Sequence, residues 1–314
     1  MAGISDLPFR MINRAFGCQF AFTEMISARS RVHGSKKTED MLSTTLSDKP
    51  LGVQLLGDDP GIMQRAMDKL LEYDFALMDL NAACPVKKVT GRGEGASLLK
   101  EPRKLGKLLQ IMVRHVQVPI TVKIRAGWDE ASISARDAAH AAEDAGVKGL
   151  FIHGRTKAQG YGGKVDYQII KTVKQSVAIP VIASGDALSP QLIKRMFDET
   201  GCDGVTIARG SLGNPWIFRE ASEFLKSGTI LQRPGLDEIA DTMIRHLASC
   251  MGFYGETIGP IVFRKFFAWY TRGIPDIKPR KERAFTARTE AKMKEIIEEL
   301  RTAERGFSTS RDAQ

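Results

Sequence analysis

Short apolar runs recur along the chain, and each is followed by a stretch with helical periodicity. The runs are QFAFTEM (19–25), LGVQLLG (51–57), FALMDLNA (75–82), ITVKIRAG (120–127), GLFIHGRT (149–156), PVIASGD (180–186) and GVTIARG (204–210). They are short, read as apolar on both faces, and end in polar residues or glycine, as strands of a parallel sheet covered on both sides do. Between them lie amphipathic segments at 60–73, 101–117, 132–145, 166–176 and 189–200. Asp59 and Ser189 each precede a proline and read as N-caps, with the proline in the first helical turn. The alternation predicts an α/β chain with a TIM (β/α)8 barrel rather than an open doubly wound sheet. No G-x-G-x-x-G follows an early run, which counts further against a dinucleotide-binding sheet.

Seven runs leave an eight-stranded barrel one strand short. The opening MAGISDLPFR reads as the loop after a first strand and then a helix, so the missing strand is expected upstream of Met1. The barrel domain is placed at 1–230. Beyond Trp216 the pattern turns helical, and 236–305 reads as a helical C-terminal domain after the turn-rich linker KSGTILQRPGL (226–236). The last residues, 306–314, read as a disordered tail.

The 314 residues, 43% of them hydrophobic, suffice for a large core. The net charge of +9 suggests either a polyanionic partner, nucleic acid first, or a solvated basic surface. Cys18, Cys84, Cys202 and Cys250 lie far apart, without zinc-ligand spacing, so no metal is expected. Their number in a chain this long points to a reducing, cytoplasmic setting. No run approaches the ~20 apolar residues of a membrane span, and the N-terminus lacks the apolar centre of a signal peptide.

In such barrels chemistry gathers at the C-terminal ends of strands. Here those ends carry Gln54, Asn81 with Cys84, Lys123 with Arg125, His153 with Arg155, Ser184-Gly185-Asp186 and Ala208-Arg209-Gly210. Any one of them could be a satisfied structural residue, but the same pattern at six ends argues for a site. The last two ends are small and rich in exposed amides, where this fold commonly holds a phosphate, and Arg209 adds a charged clamp. With Lys123 and Gln54 they suit a phosphorylated flat cofactor such as flavin mononucleotide. Cys84, at a strand mouth followed by Pro85, Lys87 and Lys88, reads alone as a reactive group, a buried filler or a metal ligand.

The ordered motifs MAGISDLPFR (1–10), GVQLLG (52–57), NAACPVKKVTGRGEGASLL (81–99), VKIRAGW (122–128), IHGRT (152–156), VIASGD (181–186), IARGSLGNPWIF (207–218) and FRKFFAWYTRG (263–273) resemble the tRNA-dihydrouridine synthases, most closely their bacterial B branch. The resemblance implies an enzyme that binds FMN, takes hydride from NADPH or NADH, and reduces the C5–C6 bond of selected tRNA uridines. It implies flavin contacts from Met1, Ala2, Gln54, Lys123 and His153. It assigns the phosphate and ribityl side to Ser184, Gly185, Asp186, Ala208 and Arg209. Cys84 matches the general acid that protonates C5, and Asn81, His153 and Arg155 match residues at the uracil edge. An acid needs its proton, so Lys87 and Lys88 read as RNA contacts rather than activators of the thiol.

The sequence departs from the family pattern at Ala83, where glycine is usual, and at Ser184, where asparagine is common. Over 264–283 seven basic residues, among them Arg264 and Lys265, face only Asp276 and Glu282. With the cysteine loop they form the expected tRNA surface, while most of the interleaved aromatics read as core. A base must be extruded to reach such a pocket. The chain is read as a monomer. Two rivals are a barrel reductase acting on a small molecule and an RNA-binding protein without catalysis.

Overall fold

The computed structural model describes residues 1–308. Its elements are α1 (Leu7–Ala15), β1 (Ala21–Ser27), α2 (Ala28–Val32), α3 (Lys36–Leu42), β2 (Leu51–Leu56), α4 (Pro60–Leu70), β3 (Leu77–Asn81), α5 (Lys87–Thr90), α6 (Pro102–His115), β4 (Ile120–Arg125), α7 (Ala135–Asp144), β5 (Leu150–His153), α8 (Tyr167–Ser176), β6 (Val181–Ser184), α9 (Pro190–Thr200), β7 (Gly204–Thr206), α10 (Ile217–Ser227), α11 (Leu236–Tyr270), α12 (Lys278–Thr286) and α13 (Glu290–Ser308). All seven apolar runs became strands. They pair in parallel in the order β1 to β7, and each neighbouring pair is joined through a crossover, as in a TIM barrel. Among the described residues β1 and β7 are the two edges of this sheet.

The helix starts follow local chemistry. Asp59 accepts from the Ile62 amide at 2.7 Å and Ser189 from the Leu192 amide at 3.2 Å, each before a proline at the first turn. Among the described residues no helix is long and apolar enough to cross a membrane.

The strands differ from the expected all-apolar pattern. One face, with Val53, Leu55, Met78, Leu80, Val122, Ile124, Leu150 and Ile152, is fully buried and apolar. The two-residue period puts Gln54, Asp79, Asn81, Thr121, Lys123, Arg125, His153 and Ser184 on the other face. The barrel interior is therefore polar toward the C-terminal strand ends, and that face carries the candidate site.

The chain divides into two compact units. Met1–Asp6 and Gln19–Gly210 form the strand-bearing unit, while Leu7–Cys18 joins the helices from Ser211 onward. Helix α1 thus belongs with the C-terminal helices, which linear reading did not reveal. In that second unit Phe9 stacks on Phe266 with ring centroids 5.9 Å apart, and Phe16 meets Trp216 edge-on at 5.3 Å. Phe263, Phe266 and Phe267 are completely buried, so these aromatics are core, as expected. Helix α11 is broken at Gly255, whose φ of 80° and ψ of 171° are not helical. Of the expected tail, 306–308 continue α13 and 309–314 lie outside the described residues.

The helical unit has two positions whose stability effects can be measured. Gly213 has φ 66°, and a side-chain carbon there would collide with the Trp269 and Tyr270 backbone. Gly213→Ala should cost well over ~1 kcal/mol, seen as a drop of several degrees in melting temperature. His246 is 1% exposed among Phe263, Phe266 and Tyr270, and burial lowers its pKa to about 3. The unfolded chain takes up this proton near pH ~6.5 and the folded chain does not. Stability should therefore fall as pH drops from ~6.5 toward 3, by about 1.4 kcal/mol per pH unit. Denaturant melts of wild type and His246→Phe across that window check it, because the variant should lose this slope.

Candidate active site

The site is assembled around a chain of polar side chains that crosses the interior face of β2, β3 and β4. The backbone amides of Ala83 and Cys84 both donate to Asn81 Oδ1, at 3.0 and 2.8 Å. With its oxygen so occupied, Asn81 turns Nδ2 toward Gln54 Oε1 at 2.7 Å. Gln54 Nε2 then donates to Asp79 Oδ2 at 2.8 Å, and Thr121 Oγ1 donates to Asp79 Oδ1 at 2.7 Å. Asp79 is wholly buried, and desolvation raises its pKa to about 6 against the pull of those two donors and of Lys123.

Cys84 follows directly from this chain. Asn81 ends β3, and its side chain folds back to hold the first two amides after Ala82, an Asx-type turn that fixes where the thiol starts. The Cys84 carbonyl accepts from the Ala96 amide at 3.1 Å, which closes the glycine-rich loop. The thiol is half-buried. Desolvation raises its pKa, opposed by a hydrogen bond from the Val86 backbone and by the charge of Arg125. A protonated thiol is what general-acid work requires.

Ala83 suits its position without glycine's freedom, since its φ is not positive. Its carbonyl accepts from Arg125 Nε at 2.7 Å, and the methyl is buried. Arg125 uses Nη1 on the carbonyls of Thr156, at 3.0 Å, and Gly160, at 2.9 Å. It ties the cysteine loop to the loop after β5.

A cationic half of the site faces this. Lys123 Nζ donates to Ser184 Oγ at 3.0 Å, so the serine gives the ammonium a partner across two strands. Desolvation first, then Arg125, lowers the Lys123 pKa to about 8. His153 is 8% exposed, and burial together with Lys123, Arg125, Arg155 and Arg209 holds it neutral far below its usual range. It can exchange hydrogen bonds but carries no acidic imidazolium proton at neutral pH. Gly185, φ 118°, passes so close that a side-chain carbon there would lie 2.8 Å from His153 Cδ2.

Arg155 and Asp186 hold each other. Arg155 is 2% exposed, and its guanidinium is used up by Asp186 (3.1 and 2.5 Å), the Gly162 carbonyl (2.9 Å) and the Gly163 carbonyl (2.7 Å). It clamps the loop after β5. The Asp186 carboxylate also takes Arg209 Nη2 at 2.6 Å, and Arg155 chiefly depresses its pKa. The Asp186 side chain thus fixes the direction of the Arg209 guanidinium. Met1 closes a turn by accepting from the Ile4 and Ser5 amides, at 3.1 and 3.0 Å. Ala2 is exposed on that turn, and Gly3 N donates to Glu24 of β1. Ala208 lies two residues past the end of β7, just before the 3-10 turn Arg209–Ser211.

Lys87 and Lys88 are exposed on α5, which the sequence reading took for loop. In the helical unit Arg264 donates Nε and Nη2 to the Ala287 carbonyl, at 3.0 and 2.6 Å, so it holds α11 to the end of α12 rather than offering its charge freely. Lys265 lies over the Phe266 ring at 4.8 Å. Arg280 and Arg283 are answered from α13 by Glu299 and, for Arg283, Glu295. These acids lie outside the 264–283 window, so the face is less basic than the local count implied.

Sequence reading missed Asp79, Thr121 and Tyr161. Asp79 stands two before Asn81 inside an apolar run, and that two-residue spacing is a signal of a polar face. Tyr161 is exposed in the loop after β5, with the guanidiniums of Arg209 and Arg125 5.2 and 5.7 Å from its ring centre. Nothing in the linear sequence brings those three together.

A family model described as dihydrouridine synthase matches residues 1–306. The tRNA-dihydrouridine synthase B of Pseudomonas aeruginosa is 38% identical over 275 residues, covering 88% of this chain and 83% of that protein. The protein of the same name from Pasteurella multocida is 37% identical over 292 residues, covering 93% and 88%. Among solved structures, a histamine dehydrogenase from Rhizobium sp. 4-9 shares the fold with a TM-score of 0.52 at 14% identity, over 80% of this chain and 47% of that one. The 6-hydroxypseudooxynicotine amine oxidase of Pseudomonas geniculata N1 gives a TM-score of 0.55 at 13% identity, over 77% and 47%.

The polar chain is testable at its hub. Asn81→Ala leaves the buried Ala83 and Cys84 amides without an acceptor, at a cost of about 1–3 kcal/mol for each group that stays dry. The expected result is a lower melting temperature together with faster alkylation of Cys84 by iodoacetamide. Unchanged alkylation would mean that Asn81 does not hold the thiol.

Proposed function

Because the chain belongs to the dihydrouridine synthase family, we infer that it reduces the C5–C6 double bond of specific uridines in tRNA, with Cys84 as the proton donor to C5. Bound flavin mononucleotide, kept reduced by NADPH or NADH, supplies the hydride that adds at C6. The observation that carries the reading is Cys84 itself: a thiol held protonated by burial, pinned through its amide to Asn81 and set on the same mouth as Lys123.

The residues present fit such a cofactor. Lys123 and Arg209 are cations on a polar barrel interior, Gly185 brings main chain close against His153 where a side chain could not fit, and Gln54 and neutral His153 add hydrogen-bonding groups. Lys123 would hold the electron-rich edge of the flavin ring. Arg209, aimed by Asp186, and the main chain from Ser184 to Asp186 and at Ala208 would receive the phosphate, with Met1 and Ala2 at the rim.

The proton inventory supports the role of Cys84. Negative charge builds at C5 as hydride reaches C6, so a donor must face C5. His153 is neutral, Arg125 and Arg155 are committed to carbonyls and to Asp186, and the Lys123 ammonium is engaged by Ser184 Oγ. The thiol keeps its proton at neutral pH and is oriented at its base. Residues 1–230 would carry cofactor and chemistry, and 236–305 would take part in binding tRNA, as would exposed Lys87, Lys88 and Lys265.

Three outcomes are expected. The purified chain should show a flavin absorption spectrum, and Cys84→Ala should lower dihydrouridine formation on unmodified tRNA by about 10²-fold or more while keeping that spectrum. Full activity of the variant would remove Cys84 from the role. Lys87→Glu with Lys88→Glu should weaken tRNA binding and reduce the slope of log affinity against log salt by about one for each phosphate no longer neutralised. Lys123 carries its charge below about 8 and loses it above. Flavin retention should therefore weaken as pH rises through that value in wild type, and Lys123→Met should abolish the dependence, as measured by flavin release on dilution.

A further inference from the structure

Trp128 stands in the loop after β4, and its main chain is fixed on both sides. At Gly127 a side-chain carbon would run into the Ser132 carbonyl, so only glycine lets residues 127–133 fold back on themselves. The Gly127 and Trp128 carbonyls accept from the Lys157 and Ala158 amides, each at 2.9 Å, which binds this loop to the one after β5. The cysteine loop is attached as well, because Ser134 Oγ donates to the Leu99 carbonyl at 2.7 Å. Three loops at the C-terminal strand ends thus meet at one half-buried indole. Over its ring lie two ammonium groups. Lys100 Nζ, at the end of the cysteine loop, is 3.7 Å from the ring centre, and Lys157 Nζ, in the loop after β5, is 4.2 Å from it. Among the described residues neither ammonium has a carboxylate partner. Asp129, next to the ring in sequence, forms no ion pair, and its Oδ1 is buried without a partner.

We propose that Lys100, Trp128 and Lys157 form a seat for a phosphate of the tRNA strand beside the extruded uridine, an inference that rests on the reading of the chain as acting on tRNA. The negative face of the indole attracts both cations and gathers two like charges at one place. Those charges repel each other, and with no acid between them an anion relieves the repulsion. Holding the lysines over the ring also uses up rotamer freedom before the ligand arrives, so a phosphate meets donors already placed. A lysine ammonium suits phosphate as a point charge with three donors. The partner is nucleic acid because the seat continues a basic track: Lys87, Lys88 and Arg92 are exposed on the same loop that ends at Lys100. A strand with a charge on every nucleotide matches such a row, and anchoring its backbone at the rim leaves the base free to enter the pocket. The lysines bind, and Trp128 is the positioning residue that aims them.

Binding of unmodified tRNA to the purified full chain is measured across a salt series for wild type, for Lys100→Gln combined with Lys157→Gln, and for Trp128→Leu. The lysine variant should bind severalfold more weakly, with the slope of log affinity against log salt reduced by about one or more. Trp128→Leu keeps both charges, so its slope should stay while affinity drops severalfold and KM for tRNA rises at unchanged kcat. A lysine variant with wild-type affinity and slope would overturn the proposal. If Trp128→Leu does not fold, the lysine variant decides alone. The proposal also falls if the lysine variant keeps its tRNA binding but raises the KM of NADPH for flavin reduction without tRNA, because the seat then belongs to the dinucleotide. A wild-type chain that binds no tRNA removes the tRNA reading itself. Variants that equal a tRNA-binding wild type remove only this seat, so the two failures are distinguishable.

Discussion

Two backbone amides set the direction of the whole site. Ala83 N–H and Cys84 N–H both point at Asn81 Oδ1, and an amide can only donate. That makes the Asn81 oxygen an acceptor, so its nitrogen must donate to Gln54. Gln54 in turn must present its own nitrogen to Asp79. Each orientation is forced by the one before it, and the chain ends on a buried carboxyl that also accepts from Thr121. The thiol is therefore positioned by three strands at once. Disturbing any member leaves a dry polar group somewhere along the line.

The cationic half obeys a different constraint. Lys123, Arg125, Arg155 and Arg209 converge on one mouth, and such a cluster repels itself unless it is answered. Asp186 answers two of them, and loop carbonyls satisfy most of the rest. Burial first, and the positive field that remains second, keep His153 neutral and draw the Lys123 pKa down. The same field suits an anionic cofactor edge. The two groups are thus separated by environment: burial raises the pKa of the thiol, while burial and neighbouring charge hold the imidazole neutral.

Much of the fold was legible from local signals. Asp59-Pro60 and Ser189-Pro190 marked helix starts because a capping side chain and a proline act within four residues. The strands declared themselves by their apolar face. Their polar face did not, since Asp79 and Thr121 lie inside otherwise apolar runs and make sense only beside Gln54 on the neighbouring strand. Arg155 and Asp186 were legible as site residues but not as each other's partner. Glu299 is likewise invisible as the partner of Arg283 until α12 and α13 pack together.

By itself the sequence determined the strand–helix alternation, the family motifs and the set of chemical groups at the strand ends, because each is carried by near neighbours in the chain. Tertiary structure alone decided which of those groups hold the loops and which remain for a ligand. It also decided that α1 joins the C-terminal helices, that Ala83 needs no glycine-like backbone, and that the Gly95 main chain presses against Cys84. Those outcomes turn on which side chains meet across strands and how much water they lose, and both depend on contacts between residues far apart in the chain.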